Sequence, residues 1–209
     1  MNNIAYLFDL DGVVIDTETE YTKIWTEIGN KYIPHINNFA FQIKGSHIRN
    51  IYENYLSHLS DQEWDGVVSY IRDLGQKMNY TYIEGAKEFL QELKIKNHLT
   101  ALVTSSDNNK LETLFTKLPE IQSFFNVIVS SDDNVKGKPE PDPYLLAAKK
   151  LNIEPEKCIV FEDAIAGIES GLAANMFVIA LSTTHSVEQL RKYTPKVIPN
   201  FKNFCLNCI

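Results

Sequence analysis

Three observations predict an α/β fold, a doubly wound parallel sheet with an all-helical insert. Short apolar runs alternate with helically spaced apolar residues over the second half of the chain, and the first such run ends in two closely spaced aspartates. The alternation is interrupted between residues 17 and 82. Repeated strand–helix units of this kind close into a parallel sheet with right-handed crossovers. The expected division is a core of residues 1–16 and 83–209 with a helical segment at 17–82.

The first stretch organises the rest. Ile4 to Phe8 is an unbroken apolar run, the pattern of a strand buried on both faces. Asp9 then falls at the carboxyl end of that strand, where open α/β sheets place their ligand crevice. Residues i and i+2 of a strand point the same way, so Asp9 and Asp11 can face one pocket. Gly12 permits the tight or left-handed geometry that turns the chain away. Two carboxylates this close repel unless a cation lies between them or one holds a proton. With a divalent metal, one is an oxygen ligand poised to attack phosphorus while the other shuttles a proton. A strand-ending turn rich in Asp accounts for the same residues without any chemistry.

From Thr17 to Tyr82 the apolar and aromatic residues recur at helical spacing: Ile24, Trp25 and Ile28, then Ile48, Ile51 and Tyr55, then Trp64, Val67 and Ile71. Breaks fall at Gly29-Asn30, Pro34-His35, Gly45 and Ser60-Asp61, with Asp61 as the expected N-cap. The segment reads as about three to five helices, with no strand.

Strand–helix alternation follows. A helix over Gly85–Lys96 turns Phe89, Leu90 and Leu93 inward, and Leu99–Val103 is a strand ending at Thr104-Ser105-Ser106. A helix carries Leu111, Leu114, Phe115 and Leu118, and Phe125–Val129 is the next strand. The polar loop Lys136–Pro143 leads into a helix that Asp142 is placed to cap and Pro143 to start. Cys158–Phe161 is a strand ending in Glu162-Asp163, followed by a helix with Ile165, Ile168 and Leu172 on one face. Phe177–Leu181 is a further strand, and Ser186–Tyr193 a last short helix.

Bulk properties narrow the function. A net charge of −7 over 209 residues argues against nucleic acid as a partner. It does not exclude a small anionic substrate, because a local metal and lysine override the global field. Apolar residues make up 44% of the chain, yet no run approaches a membrane span. The first residues lack the pattern of a signal peptide. Three cysteines, Cys158, Cys205 and Cys208, are the sparse, odd count of a reducing compartment. The spacing of the last two, without a second pair or a strand-to-helix context, carries no zinc or redox reading. The expectation is a soluble, cytoplasmic monomer.

Polar residues collect where the apolar strands end: Asp9 and Asp11, Thr104 and Ser105, Lys138 in its proline-flanked loop, and Glu162 and Asp163. In a parallel sheet those ends share one edge, so these groups converge. Thr104 and the N–H groups entering the next helix can bind phosphate oxygens. Lys138 neutralises phosphate and crowded carboxylates as a point charge. Asp163 adds a hard oxygen for Mg²⁺. Singly, each has an ordinary explanation as a helix cap, a solvated lysine or a dipole-complementing acid. Together, at successive strand ends, they read as a phosphoryl-transfer site.

On the motifs Asp9-x-Asp11-Gly12-Val-Val-x-Asp-Thr-Glu18, Thr104-Ser105-Ser106, Gly137-Lys138-Pro139-x-Pro141-Asp142 and Phe161-Glu162-Asp163-Ala-x-Ala-Gly167-Ile168, the chain resembles the haloacid dehalogenase-like hydrolases. The resemblance covers essentially the whole chain and points to the subgroup with β-phosphoglucomutase, phosphoglycolate phosphatase and small sugar phosphatases. It implies a Rossmann-like core with the helical insert as a cap over the site. It also implies that Asp9 is a nucleophile that becomes an aspartyl phosphate, with Asp11 as acid and base. Thr104, Ser105 and Lys138 would bind phosphate. Mg²⁺ would sit on Asp9, the Asp11 carbonyl and Asp163, with Glu162 an outer-shell partner or a ligand.

The activity so implied is a Mg²⁺-dependent phosphatase acting on a small phosphorylated metabolite such as a sugar phosphate. A phosphomutase is the alternative, and a non-catalytic phosphate-binding domain a third reading that the intact set of Asp9, Asp11, Lys138 and Asp163 argues against. β-Phosphoglucomutase carries histidine where Tyr21 stands here, and its cap arginine falls at the spacing of Ile48, with Arg49 one residue further on. Both departures weaken the mutase reading. Tyr21, Lys44, His47, Arg49 and Arg72 are the candidates for reading the substrate. Asn175 stands where relatives carry glycine after a helix, and asparagine is the best non-glycine residue for a left-handed cap.

Overall fold

The computed structural model describes residues 4–43 and 48–205, with the side chains of Arg49 and Gln76 set aside. Among the described residues six strands form one parallel sheet in the order β5-β4-β1-β6-β7-β8. These are β1 (Ala5–Phe8), β4 (Leu99–Val103), β5 (Val127–Val129), β6 (Cys158–Glu162), β7 (Phe177–Leu181) and β8 (Val197–Ile198). β1 lies between β4 and β6, with Phe8 opposite Leu102 on one side and Phe161 on the other. Strand order reverses at β1, with β4 and β5 added on one side and β6, β7 and β8 on the other, which makes its carboxyl end the topological switch point.

The strands are apolar throughout because both faces are covered. Ala5 and Leu7 face a core with Tyr144 and Ala147 of α7 (Asp142–Leu151) and Ile168 of α8 (Ile165–Ala173). On the opposite face Phe8 stacks on Phe161 at 4.7 Å. Phe89 of α5 (Ala86–Ile95) and Phe201 complete that aromatic cluster, their rings 5.3 Å apart. α6 (Asn108–Lys117) follows β4, and α9 (Val187–Leu190) is the short helix after β7. Asn175 takes φ 60° just after α8, as its sequence position requires.

The chain separates into two compact units, Met1–Asp16 with Tyr80–Ile209, and Thr17–Asn79. The second unit is helical: α1 (Glu18–Tyr32), α2 (Phe39–Gln42), α3 (Ile48–Ile51), which runs into a π-helical turn at Tyr52–Leu56, and α4 (Asp61–Lys77). Its interior is aromatic, with Trp25 against Phe39 and Tyr52 against Trp64.

Three expectations change, and one strand is added. A strand does occur within residues 17–82, where β3 (Thr81–Tyr82) pairs antiparallel with β2 (Ile15–Asp16), a ribbon too short to show an alternating pattern. Ser60, not Asp61, caps α4, because its hydroxyl and the Glu63 carboxylate form a reciprocal capping box. Pro141 rather than Asp142 stands at the cap of α7, with no side-chain hydrogen bond there. β8 lies at the sheet edge in a segment without a recognisable apolar run.

Candidate active site

β1 delivers Asp9. The ladder continues one residue past Phe8, the Asp9 N–H donating to the Phe161 carbonyl at 3.0 Å. The chain then folds back, with the Val14 and Ile15 N–H groups donating to the Leu10 carbonyl at 2.9 and 3.0 Å. Gly12 takes φ 77°, a left-handed backbone open to glycine. A Cβ there would also run into the Asp163 carboxylate.

Lys138 reaches Asp9 from the loop before α7. Its Nζ donates to Asp9 Oδ1 and Glu162 Oε1, at 2.6 Å each, and to the Val103 carbonyl at 2.9 Å. All three ammonium protons are thereby used. The side chains of Asp9, Lys138 and Glu162 are 13, 7 and 1% exposed, so their charges act in a poorly screened setting. Burial favours neutral Lys138, but the carboxylates of Asp9 and Glu162 outweigh it and hold its pKa well above the usual lysine value. Burial above all, with Glu162 and Asp11 adding to it, raises Asp9 to about 7 although Lys138 pulls the other way. The two shifts are compatible: one ammonium is held charged by two carboxylates, while burial of Asp9 outweighs the pull of that ammonium on it.

Glu162 is saturated. Oε1 accepts from Lys138 and from the Tyr144 hydroxyl, the latter at 2.9 Å. Oε2 accepts from the Asp163 and Ala164 N–H groups at 3.0 and 3.1 Å. Those four donors occupy the lone pairs of a carboxylate. Gly167 in the first turn of α8 leaves room for it, since a Cβ there would overlap the Glu162 carboxylate. Tyr144 is fully buried, and burial together with Glu162 raises its hydroxyl well above the ordinary tyrosine value.

Asp163 follows one residue on. Its Oδ2 accepts from the hydroxyls of Thr183 and Thr184, just beyond β7. Thr183 also donates to the Gly12 carbonyl at 2.6 Å, tying the β7 end to the turn after Asp11. Asp11 is met from the β4 end. Ser106 donates to its Oδ2 at 3.1 Å, and Lys110 of α6 ion-pairs with it at 2.6 Å.

The structure therefore brings Asp9, Lys138, Glu162 and Asp163 together, and binds Asp11 to the loop that follows Thr104. Thr104 is buried, and its hydroxyl accepts the Ser106 N–H at 3.0 Å, which shapes that loop. Ser105 lies exposed, and its neighbour Ser106 is the serine that turns toward Asp11. Ser106, Lys110, Tyr144, Thr183 and Thr184 were not foreseen. The threonines obey the rule that located the others, polar residues at the end of an apolar strand. Lys110 and Tyr144 sit inside helices, where sequence carries no such sign. In the helical unit Tyr21 is half-buried and Arg72 exposed. Lys44, His47 and the side chain of Arg49 lie outside the described residues, as does Cys208.

Carboxylate oxygens of Asp9, Glu162 and Asp163 lie within 4.8 Å of one another. With Glu162 saturated, Asp9 and Asp163 remain as carboxylate donors. A pair of carboxylates completed by water and phosphate is what Mg²⁺ takes. Burial is the main cause of the raised Asp9 pKa, with Glu162 and Asp11 adding to it, and a divalent cation at this place would favour the ionised carboxylate. The residues fit such an ion.

The haloacid dehalogenase-like hydrolase family matches residues 6–181, and the chain belongs to that family. It is a hydrolase by that membership. A validoxylamine A 7′-phosphate phosphatase from Streptomyces hygroscopicus subsp. limoneus is 31% identical, over 88% of this chain and 88% of that protein. Among solved structures, a HAD hydrolase of family IA, variant 3, from Entamoeba histolytica superimposes with a TM-score of 0.81 at 27% identity, covering 98% of this chain and 96% of that one. A β-phosphoglucomutase from Clostridium difficile gives a TM-score of 0.71 at 27% identity, covering 98% and 94%. Among the described residues no helix is long and apolar enough to cross a membrane.

Proposed function

We propose that the protein is a Mg²⁺-dependent phosphatase of a small phosphorylated metabolite, working through an aspartyl phosphate on Asp9. The observation that carries this reading is the largely buried Asp9 carboxylate held by Lys138 beside Asp163, with Asp11 two residues on. In the first step Asp9 attacks phosphorus, the bond to the leaving oxygen breaks, and Asp11 gives that oxygen a proton. In the second step Asp11 takes a proton from water, which attacks the same phosphorus and frees the Asp9 carboxylate. Lys138 favours the ionised nucleophile and offsets phosphoryl charge. Asp9, the Asp11 carbonyl and Asp163 would hold Mg²⁺, which would supply neutralising charge for the phosphoryl oxygens, and Glu162 would take the outer-shell role. The helical unit is assigned the part of a cap that selects the substrate, in a monomer.

A mutase is the second reading, favoured by the likeness to β-phosphoglucomutase. The two readings differ in whether water or a substrate hydroxyl receives the phosphoryl group. A panel of phosphorylated metabolites, with and without Mg²⁺, separates them. Metal-dependent release of inorganic phosphate from a sugar phosphate is expected. Conversion of β-glucose 1-phosphate to glucose 6-phosphate with little free phosphate would replace hydrolase by mutase, and full turnover in excess EDTA would remove metal from the mechanism.

A further inference from the structure

We infer that Lys110 is a positioning residue for the acid–base work of Asp11, an inference that rests on the phosphatase reading above. Lys110 Nζ meets both carboxylate oxygens of Asp11, at 2.8 and 2.6 Å, and the Ser106 hydroxyl supports one of them at 3.1 Å. Both groups come from the start of α6. There the Asp107 carboxylate caps the helix by accepting the Lys110 N–H at 2.9 Å, so the cap that begins the helix also fixes the lysine's backbone.

Local helix rules do not put a cation in that place. The first turn of a helix carries partial positive charge and favours acidic side chains. α6 has no acidic residue in its first turn and a lysine instead. A breach of local preference is expected where a functional contact takes precedence. The paired side chains are 24 and 31% exposed, so the ion pair adds to stability only modestly. What the contact does accomplish is geometric. An aspartate carboxylate on its single methylene can turn about two bonds, and proton transfer requires it within hydrogen-bond reach of the moving proton. A grip on both oxygens removes that freedom, so Lys110 acts through Asp11.

The test uses phenyl phosphate and p-nitrophenyl phosphate, esters of similar shape whose leaving groups differ in their need for a proton. Their kcat/KM values report the step that forms the aspartyl phosphate. With Lys110→Met, the value for phenyl phosphate should fall roughly tenfold or more and that for the nitrophenyl ester less than about threefold, because only the poorer leaving group relies on a placed acid. Lys110→Arg, which keeps a cation able to meet both oxygens, should recover most of the loss. Equal losses on the two esters, or a change confined to KM, would overturn the role of Lys110 while leaving the phosphatase reading standing. Wild-type protein that released phosphate from neither ester would overturn both.

Discussion

Asp9 is subject to two opposed demands. As the proposed nucleophile it must be ionised, whereas burial and the facing carboxylates raise this group to about 7 from an ordinary 3.8. In metal-free protein the folded state therefore holds a proton more tightly than the unfolded chain. The stability that Asp9 contributes is complete below 3.8 and is lost as the pH rises through about 7. A divalent cation bound there would favour the ionised carboxylate and offset that loss. Mg²⁺ at a hundred times its dissociation constant should stabilise the protein by about 2.7 kcal/mol, a melting shift of roughly 5–10 °C for a chain of this size. Asp163→Asn removes one of the two carboxylates left for the ion and should require a higher Mg²⁺ concentration for the same shift. Calorimetric scans across a Mg²⁺ titration check this, and an unchanged titration would take Asp163 out of the ligand set.

At the scale of elements, long apolar strands were legible in sequence because burial on both faces leaves no other pattern. β1, β4, β6 and β7 lie where the apolar runs of Ile4–Phe8, Leu99–Val103, Cys158–Phe161 and Phe177–Leu181 predicted them. The two-residue ribbon of β2 and β3, the edge strand β8 and the π-helical turn were not legible, because each spans too few residues to set a period. Helix starts turned on side-chain competition: Ser60 and Asp61 are both capping residues, and Glu63 three residues after Ser60 decided between them. Glycines can be sorted only with the structure in hand. Gly167→Ala forces a methyl group into the Glu162 carboxylate, an overpacking that should cost about 1–3 kcal/mol and should also slow turnover by displacing the partner of Lys138. Gly66→Ala in α4 meets nothing within 4 Å and should instead gain up to about 1 kcal/mol from helix propensity. Thermal melts of the two variants should move in opposite directions. A neutral Gly167→Ala would mean that the Glu162 network can shift without consequence.

For the molecule as a whole, the sequence showed which residues gather at the sheet edge, and the structure showed how they are wired. Strand-end logic located Asp9, Asp11, Lys138, Glu162 and Asp163, because a parallel sheet aligns the ends of distant strands. It could not say that Lys138 is shared between two carboxylates, that Glu162 has no lone pair left, or that Lys110 meets Asp11 across 99 residues of sequence. Such contacts depend on side-chain reach and packing, which no motif records. The overall charge of −7 remains compatible with an anionic substrate, since the buried ammonium of Lys138 sets the local field.

The central claim is that Asp9 carries the phosphoryl group. Asp11→Asn with p-nitrophenyl phosphate tests it most directly, because the good leaving group departs without an acid while loss of the base slows attack by water. Rapid quenching in acid followed by peptide mass mapping should find one phosphoryl group on the peptide containing Asp9, released by hydroxylamine as an acyl phosphate. The same treatment of Asp9→Asn should find none, together with a loss of turnover far beyond tenfold, which is only about 1.4 kcal/mol of barrier. A phosphoryl group on Ser106 or any other residue, or Asp9→Asn activity within about tenfold of wild type, would contradict it.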